Sequence, residues 1–240
     1  MSNSPLVNYT KISPNKTSPR KNKISAIVIH HMAGKLSVED CGRVFASSSR
    51  EASANYGIDS KGRVGMYVQE KDRSWATANA AIDNRAVTIE VANSSTGGNW
   101  PVSDKALAKL IDLCVDICKR NGIKKLRYTG NKSGNLHMHR WYASTACPGP
   151  YLASKFPYIA KQVNKRLKSS GSTTRTHTTS KEYKVEVKTK DLHLRKGPGT
   201  SYAHKGFIKP GVYTIVKTQG KWGKLKSGVG WICLDYATKL

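Results

Sequence analysis

The run ISAIVIHHMAG, residues 24–34, decides how the chain is read. Its unbroken series of β-branched apolar residues predicts a buried strand. Two histidines, His30 and His31, stand at the strand's end, where side chains of an α/β sheet converge on a cleft. Working outward, SVEDCGRVFAS (37–47) predicts a helix, with Ser37 as N-cap and Asp40 three residues on. ANYGIDSKGRVGMYV (54–68) predicts a hairpin turning at Ser60-Lys61-Gly62. AVTIEVAN (86–93) is a second buried strand that ends in polar residues. SDKALAKLIDLCVDICKRNG (103–122) is the clearest helix: Ser103 caps its start, Lys119 and Arg120 suit its last turn, and Gly122 lies past its end. LHMHRWYASTACPGPYL (136–152) reads as a loop, and FPYIAKQVNKRL (156–167) closes the domain as a helix. Strands interleaved with helices imply a mixed central sheet flanked by helices, an α/β domain over residues 1–167.

The flanks differ in composition. Residues 1–23 are polar, basic and contain three prolines, which predicts a loose arm draped at most in part on the domain. Residues 168–181 are Ser/Thr-rich without a large apolar side chain and read as a linker. From 182 to 240 the sequence alternates and is punctuated by glycine without a helical period, predicting five or six short strands in a small all-β barrel.

The formal net charge is +26. Such a field attracts polyanions over roughly 8–10 Å at physiological salt. Nucleic acid and the teichoic acid phosphates of a Gram-positive wall both qualify by charge, but the aromatics do not interleave with the cations as a base-stacking platform requires, so no nucleic acid partner is expected. Five scattered cysteines argue against a disulfide framework; Cys114 and Cys118, four apart on the long helix, read as buried fillers. No segment has the apolar length of a membrane span, so no membrane insertion is expected. The first residues lack the apolar core of a signal peptide, so the expectation is synthesis in the cytoplasm.

Chemistry concentrates at His30, His139 and Cys147. The last two lie eight residues apart on a loop rich in turn-formers that ends Thr145-Ala146-Cys147-Pro148-Gly149. Two imidazoles and a thiolate make a three-ligand set that leaves a zinc ion one open position, the pattern of a catalytic site. Spacing alone keeps His31 and His137 as alternatives.

The stretches IVIHHMAG, SANYGIDSKGRV, WATANAAIDNRAVTIEVAN and HMHRWYASTACPG, in that order over roughly residues 23–160, resemble the type 2 N-acetylmuramoyl-L-alanine amidases. This family includes phage lysins, autolysins and peptidoglycan recognition proteins. The resemblance implies a zinc ion on His30, His139 and Cys147 and hydrolysis of the amide between N-acetylmuramic acid and L-alanine in peptidoglycan. Glu90 in TIEVAN corresponds to the family's acidic residue, implying a proton carrier. Tyr56 in NYGID corresponds to its hairpin tyrosine, implying an oxyanion donor. Thr145 corresponds to its small polar residue two before the cysteine. Each has a plainer reading beside it: a salt-bridged Glu, a packing Tyr, a loop-shaping Thr. Where many members carry W-H-A-G, this chain has Trp75-Ala76-Thr77-Ala78, so substrate contacts there shift to candidates Asn79 and Asn84, residue types that also serve as turn formers.

Residues 182–240, with Leu194-Arg195-Lys196-Gly197-Pro198-Gly199, Trp222, Lys224 and Gly230-Trp231-Ile232, are similar to bacterial Src-homology-3-like wall-binding domains. Residues 181–240 hold 13 Lys and Arg against 4 Asp and Glu, a net of +9, which suits an anionic wall. The combined implication is a phage or prophage endolysin released through another protein's pore, with an exported bacterial autolysin as the close variant. The rival of another class is a recognition protein that holds muropeptide without cutting it; members of that kind commonly lack the cysteine that is present here as Cys147.

Overall fold

The computed structural model describes residues 2–171, 182–200 and 202–240, so most of the expected linker lies outside the described residues. The chain divides into two compact units, 1–172 and 173–240.

In the first unit, β1 (Tyr9–Thr10), β3 (Ala26–His31), β4 (Tyr56–Ile58), β5 (Val64–Met66), β7 (Ala86–Val91) and β8 (Leu136–Met138) form one sheet in the order β1-β5-β4-β7-β3-β8. The β4–β5 hairpin is antiparallel and the other pairings are parallel. The helices are α1 (Val38–Ala46), the short α2 (Ala80–Asp83), α3 (Asp104–Arg120) and α4 (Gly149–Gly171). Both predicted caps form. Ser37 and Asp40 close a reciprocal capping box, and the Ser103 hydroxyl accepts the Ala106 N–H.

Side chains alternate across a strand. Ile27, Ile29, Tyr56, Ile58, Val87, Ile89 and Val91 share the main core with the apolar stripes of α3 and α4. Val28, His30, Thr88 and Glu90 therefore point to the opposite face. There Ala26, Val28, Ile82 and Ala86 make a small second cluster, and Cys41 and Phe45 of α1 pack with Ala54 and Tyr67 in a third. The polar end of that face is left for the site.

Two sequence expectations change. The stretch read as a loop from 136 contains β8, and the closing helix starts at Gly149 and runs through 171, beyond the expected boundary at 167. The N-terminal arm is not loose. β1 adds to the sheet beside β5, and β2 (Lys16–Thr17) pairs with β6 (Arg73–Ser74). The Ser4 N–H donates to the Tyr56 hydroxyl, which in turn donates to Glu70 Oε1 at 2.7 Å. Glu70 is itself clamped by Arg120. Arg20, 6% exposed, donates to the backbone oxygens of Glu70, Asp72, Asp83, Asn84 and Ala86. A guanidinium with its donors in a fixed fork is the one side chain able to tie so many carbonyls at once.

The second unit is all β: β9 (Tyr183–Val187), β10 (Leu192–Arg195), β11 (His204–Ile208), β12 (Gly211–Gln219), β13 (Trp222–Leu225), β14 (Trp231–Cys233) and β15 (Ala237–Lys239). These form one antiparallel sheet in the order β11-β10-β14-β13-β12-β9-β15, seven strands among the described residues where five or six were expected. Val185, Val187, Leu192, Ile208, Ile215, Leu225 and Ile232 form its core.

The arm's bonds predict measurable stability. Arg20→Ala orphans several buried carbonyls at about 1–3 kcal/mol each before relaxation, so urea unfolding followed by tryptophan fluorescence should show a loss of at least about 3 kcal/mol. Tyr56→Phe should lose about 1–3 kcal/mol by the same argument. An unchanged midpoint for Arg20→Ala would mean that the arm does not contribute to the folded unit.

Candidate active site

β3 and β7 pair in parallel with His30 opposite Glu90. Gly57 of β4 lies opposite Glu90 on its other side. A Cβ at Gly57 would come within 2.7 Å of the Tyr67 ring and hydroxyl, so glycine is what lets Tyr67 cross the sheet beside the site. His139 begins a 3-10 turn directly after β8. The loop that follows returns Cys147 to it, closed by the Arg140 N–H on the Cys147 carbonyl at 3.0 Å. Gly149 then starts α4 with φ +81°. A Cβ there would sit 3.1 Å from the His31 ring, so the turn has room only for glycine.

These elements bring His30, His139 and Cys147 together, each with a ligand atom within 4.8 Å of the others'. The two imidazole centroids are 4.6 Å apart. His30 is buried, and its Nε2 has no hydrogen-bond partner. Burial first, then His139 and His31, hold its pKa well below the usual histidine value, and burial lowers His139 as well. Both rings are thus neutral, the form that binds metal. Burial, and then Glu90, push the Cys147 thiol up, so this sulfur becomes a thiolate only with a cation beside it. Two neutral imidazoles, one of them with a buried nitrogen that has no hydrogen-bond partner, and one sulfur fit a zinc ion with one position left open.

The alternatives left open by spacing lie elsewhere. His31 turns away and meets Trp100 edge-on at 5.3 Å. His137, fully buried, takes Tyr142 as the partner of its Nδ1 at 2.9 Å, and burial pushes its pKa down to about 4.

Glu90 Oε1 lies 3.9 Å from His30 Nδ1, while Oε2 is buried without a partner. Burial pushes its pKa up to about 8, against an opposing pull from Arg50. Thr145 is exposed on the same cavity wall, its Oγ1 accepting the Cys147 N–H at 3.2 Å. That leaves the hydroxyl proton free to donate.

The cavity has a volume of about 290 Å³. Its floor holds the three candidate ligands and Glu90; Leu36, Val44 and Phe45 make an apolar wall. A second cavity of about 460 Å³ shares Ala52, Trp75, Ala76 and His139 with it. Together they extend the site on both sides of His139, in the size range of ligand clefts.

Two sequence candidates do not reach this cleft. Tyr56 sits on the opposite sheet face, fully buried, with its hydroxyl between Ser4 and Glu70. Strand parity explains this: Tyr56 is in register with Ile89, and its neighbour Gly57 with Glu90. Asn84 donates to the Ala80 carbonyl and accepts the Lys21 N–H, so it ties the arm to α2. Asn79 does line the second cavity, while its Oδ1 caps α2 by accepting the Ala81 and Ile82 N–H groups. Arg50 was missed. It is the one Lys or Arg lining the first cavity, and it precedes Glu51, a non-glycine residue at φ +47°. Nothing in the local pattern marks it; only the fold brings it to Glu90.

A family model described as N-acetylmuramoyl-L-alanine amidase matches residues 20–150. No curated protein matches the chain. Among solved structures, PlyL is 18% identical at a TM-score of 0.53, with 65% of this chain and 95% of that one covered. The Staphylococcus aureus hydrolase AmiA, in complex with its ligand, is 15% identical at 0.54, covering 68% and 84%. The PlyG catalytic domain is 17% identical at 0.52, covering 71% and 98%. At these identities the structures speak for the fold alone, and the family match, which spans more than half of the chain and every residue of the candidate site, carries the assignment: this chain belongs to the type 2 N-acetylmuramoyl-L-alanine amidase family.

Proposed function

We propose that the protein hydrolyses the amide bond between N-acetylmuramic acid and L-alanine in peptidoglycan, with zinc held by His30, His139 and Cys147. The observation that carries this reading is the convergence of those three donors beside a carboxyl group, Glu90, that has one oxygen unpartnered. Zinc at such a site supplies Lewis acidity to the amide carbonyl and to water.

The protein's own groups do the rest. Glu90 takes a proton from the attacking water and delivers it to the leaving nitrogen. Thr145 donates its free O–H to the amide oxygen as negative charge develops there. The apolar wall of Leu36, Val44 and Phe45 excludes water behind the peptide and strengthens these interactions. Asn79, with its oxygen engaged in the cap, contacts substrate in the second cavity only as a donor.

The second unit acts in this reading as an Src-homology-3-like wall-binding module, supported by its all-β make-up and net positive charge. The whole is a phage or prophage lysin, made in the cytoplasm and delivered to the wall at host lysis, or an exported autolysin.

Two results test the reading. Stripping metal with a chelator should abolish clearing of purified walls, and zinc should restore it, with new L-alanine amino termini and no new reducing ends. Clearing by rigorously zinc-free protein would sink the mechanism. Glu90→Gln should lower kcat by about 10²–10⁴-fold while zinc content stays at that of the wild type. Near-normal turnover would remove Glu90 from the proton path.

A further inference from the structure

Charge is unevenly distributed along the chain. Between Asp116 and Glu182 the sequence holds fourteen Lys and Arg and no acidic residue. The fold gathers part of this run into one surface. Lys161, Lys165 and Lys168 of α4 are exposed and spaced i, i+4, i+7, which sets them on one helix face over about 10 Å. Asn164 lies beside them. Its side chain donates to the Leu126 carbonyl and accepts the Leu126 N–H, both at 2.8 Å. Leu126 is fully buried, and its neighbours Lys124, Lys125 and Arg127 are exposed. This clamp holds three further cations alongside the helix ridge. None of the six forms an ion pair with the described acidic residues, and none lines either cavity of the cleft.

We propose that this ridge binds the phosphodiester chain of a wall teichoic acid and holds the enzyme against anionic wall while the cleft works. The assignment rests on the amidase reading for its setting, and on charge complementarity for its chemistry. Six like charges fixed side by side repel one another, and a polymer with evenly repeated phosphates relieves that along its whole length by releasing its counterions. A single-stranded nucleic acid would need successive aromatics to stack its bases. The ridge is flanked by one exposed aromatic, Tyr158, and the occupant that fits is a polyanion without bases.

The test uses the full-length protein and purified poly(glycerol phosphate) teichoic acid, with binding followed by fluorescence over a range of salt. The six ridge contacts should contribute about −4 to the slope of log K against log salt. Replacing Lys124, Lys125, Lys161 and Lys165 by Gln should make the slope shallower by about 3, and replacing the same four by Arg should preserve it. Walls carrying teichoic acid should be cleared faster than stripped walls by the wild type, and the Gln variant should lose part of that preference while clearing stripped walls at the wild-type rate. An unchanged slope in the Gln variant overturns the proposal, as does tighter binding to single-stranded DNA of equal phosphate number. Failure of the amidase reading would show separately, as no L-alanine termini released from either wall with the binding slopes intact.

Discussion

Parallel pairing of β3 with β7 sets His30 beside Glu90, and the rest of the catalytic unit is arranged around that register. Because side chains alternate with period two, a slip of one residue would turn His30 into the core and Ile29 into the cleft. The apolar side prevents the slip. Ile27, Ile29, Val87, Ile89 and Val91 are buried against α3 and α4, and moving them to the other face would forfeit roughly 1.5–3 kcal/mol for each. The large, dry core thus determines where two polar side chains stand. Those side chains are costly where they are: His30 Nε2 and Glu90 Oε2 are buried without partners, at about 1–3 kcal/mol per group. A cation bound by His30, His139 and Cys147 would stabilise the folded state that assembles them, linking metal affinity to folding stability at this site.

What could be read from the sequence follows from this division. Periodic and capped elements were legible because their signals are local: the Ser37–Asp40 box, the Ser103 cap, and the β-branched runs of β3 and β7. The ligand set needed more, since spacing left His31 and His137 open and only the resemblance favoured His30 and His139. Tyr56 was misplaced because the motif was followed and parity was not; its separation from Ile58 by two residues puts it with the core. The arm was illegible for another reason. The Asn15 and Arg20 side chains donate to distant backbone carbonyls, and the Ser4 N–H donates to the distant Tyr56 hydroxyl; such bonds have no sequence period. The start of α4 lies within the stretch 136–152 that reads as a loop, and Pro150 suits a helix's first turn, where its missing N–H would have no partner.

Four acidic residues of the catalytic unit, Asp59, Glu70, Asp72 and Asp83, are turned inward. Asp72 takes Lys16 and Ser18, Glu70 takes Arg120, Asp83 holds Thr77, and Asp59 shares Arg63 with Glu39. Asp72, Glu70 and Glu39 thereby join segments far apart in the chain, while Asp83 and Asp59 fix their own turns. The exposed Lys161, Lys165, Lys168, Lys124, Lys125 and Arg127 have no ion-pair partner among the described acidic residues, so the outward field there is positive.

That separation matters for how such a protein would work on an insoluble polymer. A long-range field is indifferent to sequence or linkage; it raises local concentration and falls off with salt within a Debye length. A cleft with fixed donors does the reverse, since its discrimination depends on placement within fractions of an ångström and is nearly blind to salt. Placing the cations on α4 and the 124–127 segment, and the reacting groups on the strand ends, keeps the two from interfering. Among the described residues, Arg50 is the one Lys or Arg on the wall of the first cavity, so the field of the ridge and the chemistry of the cleft are carried by different residues.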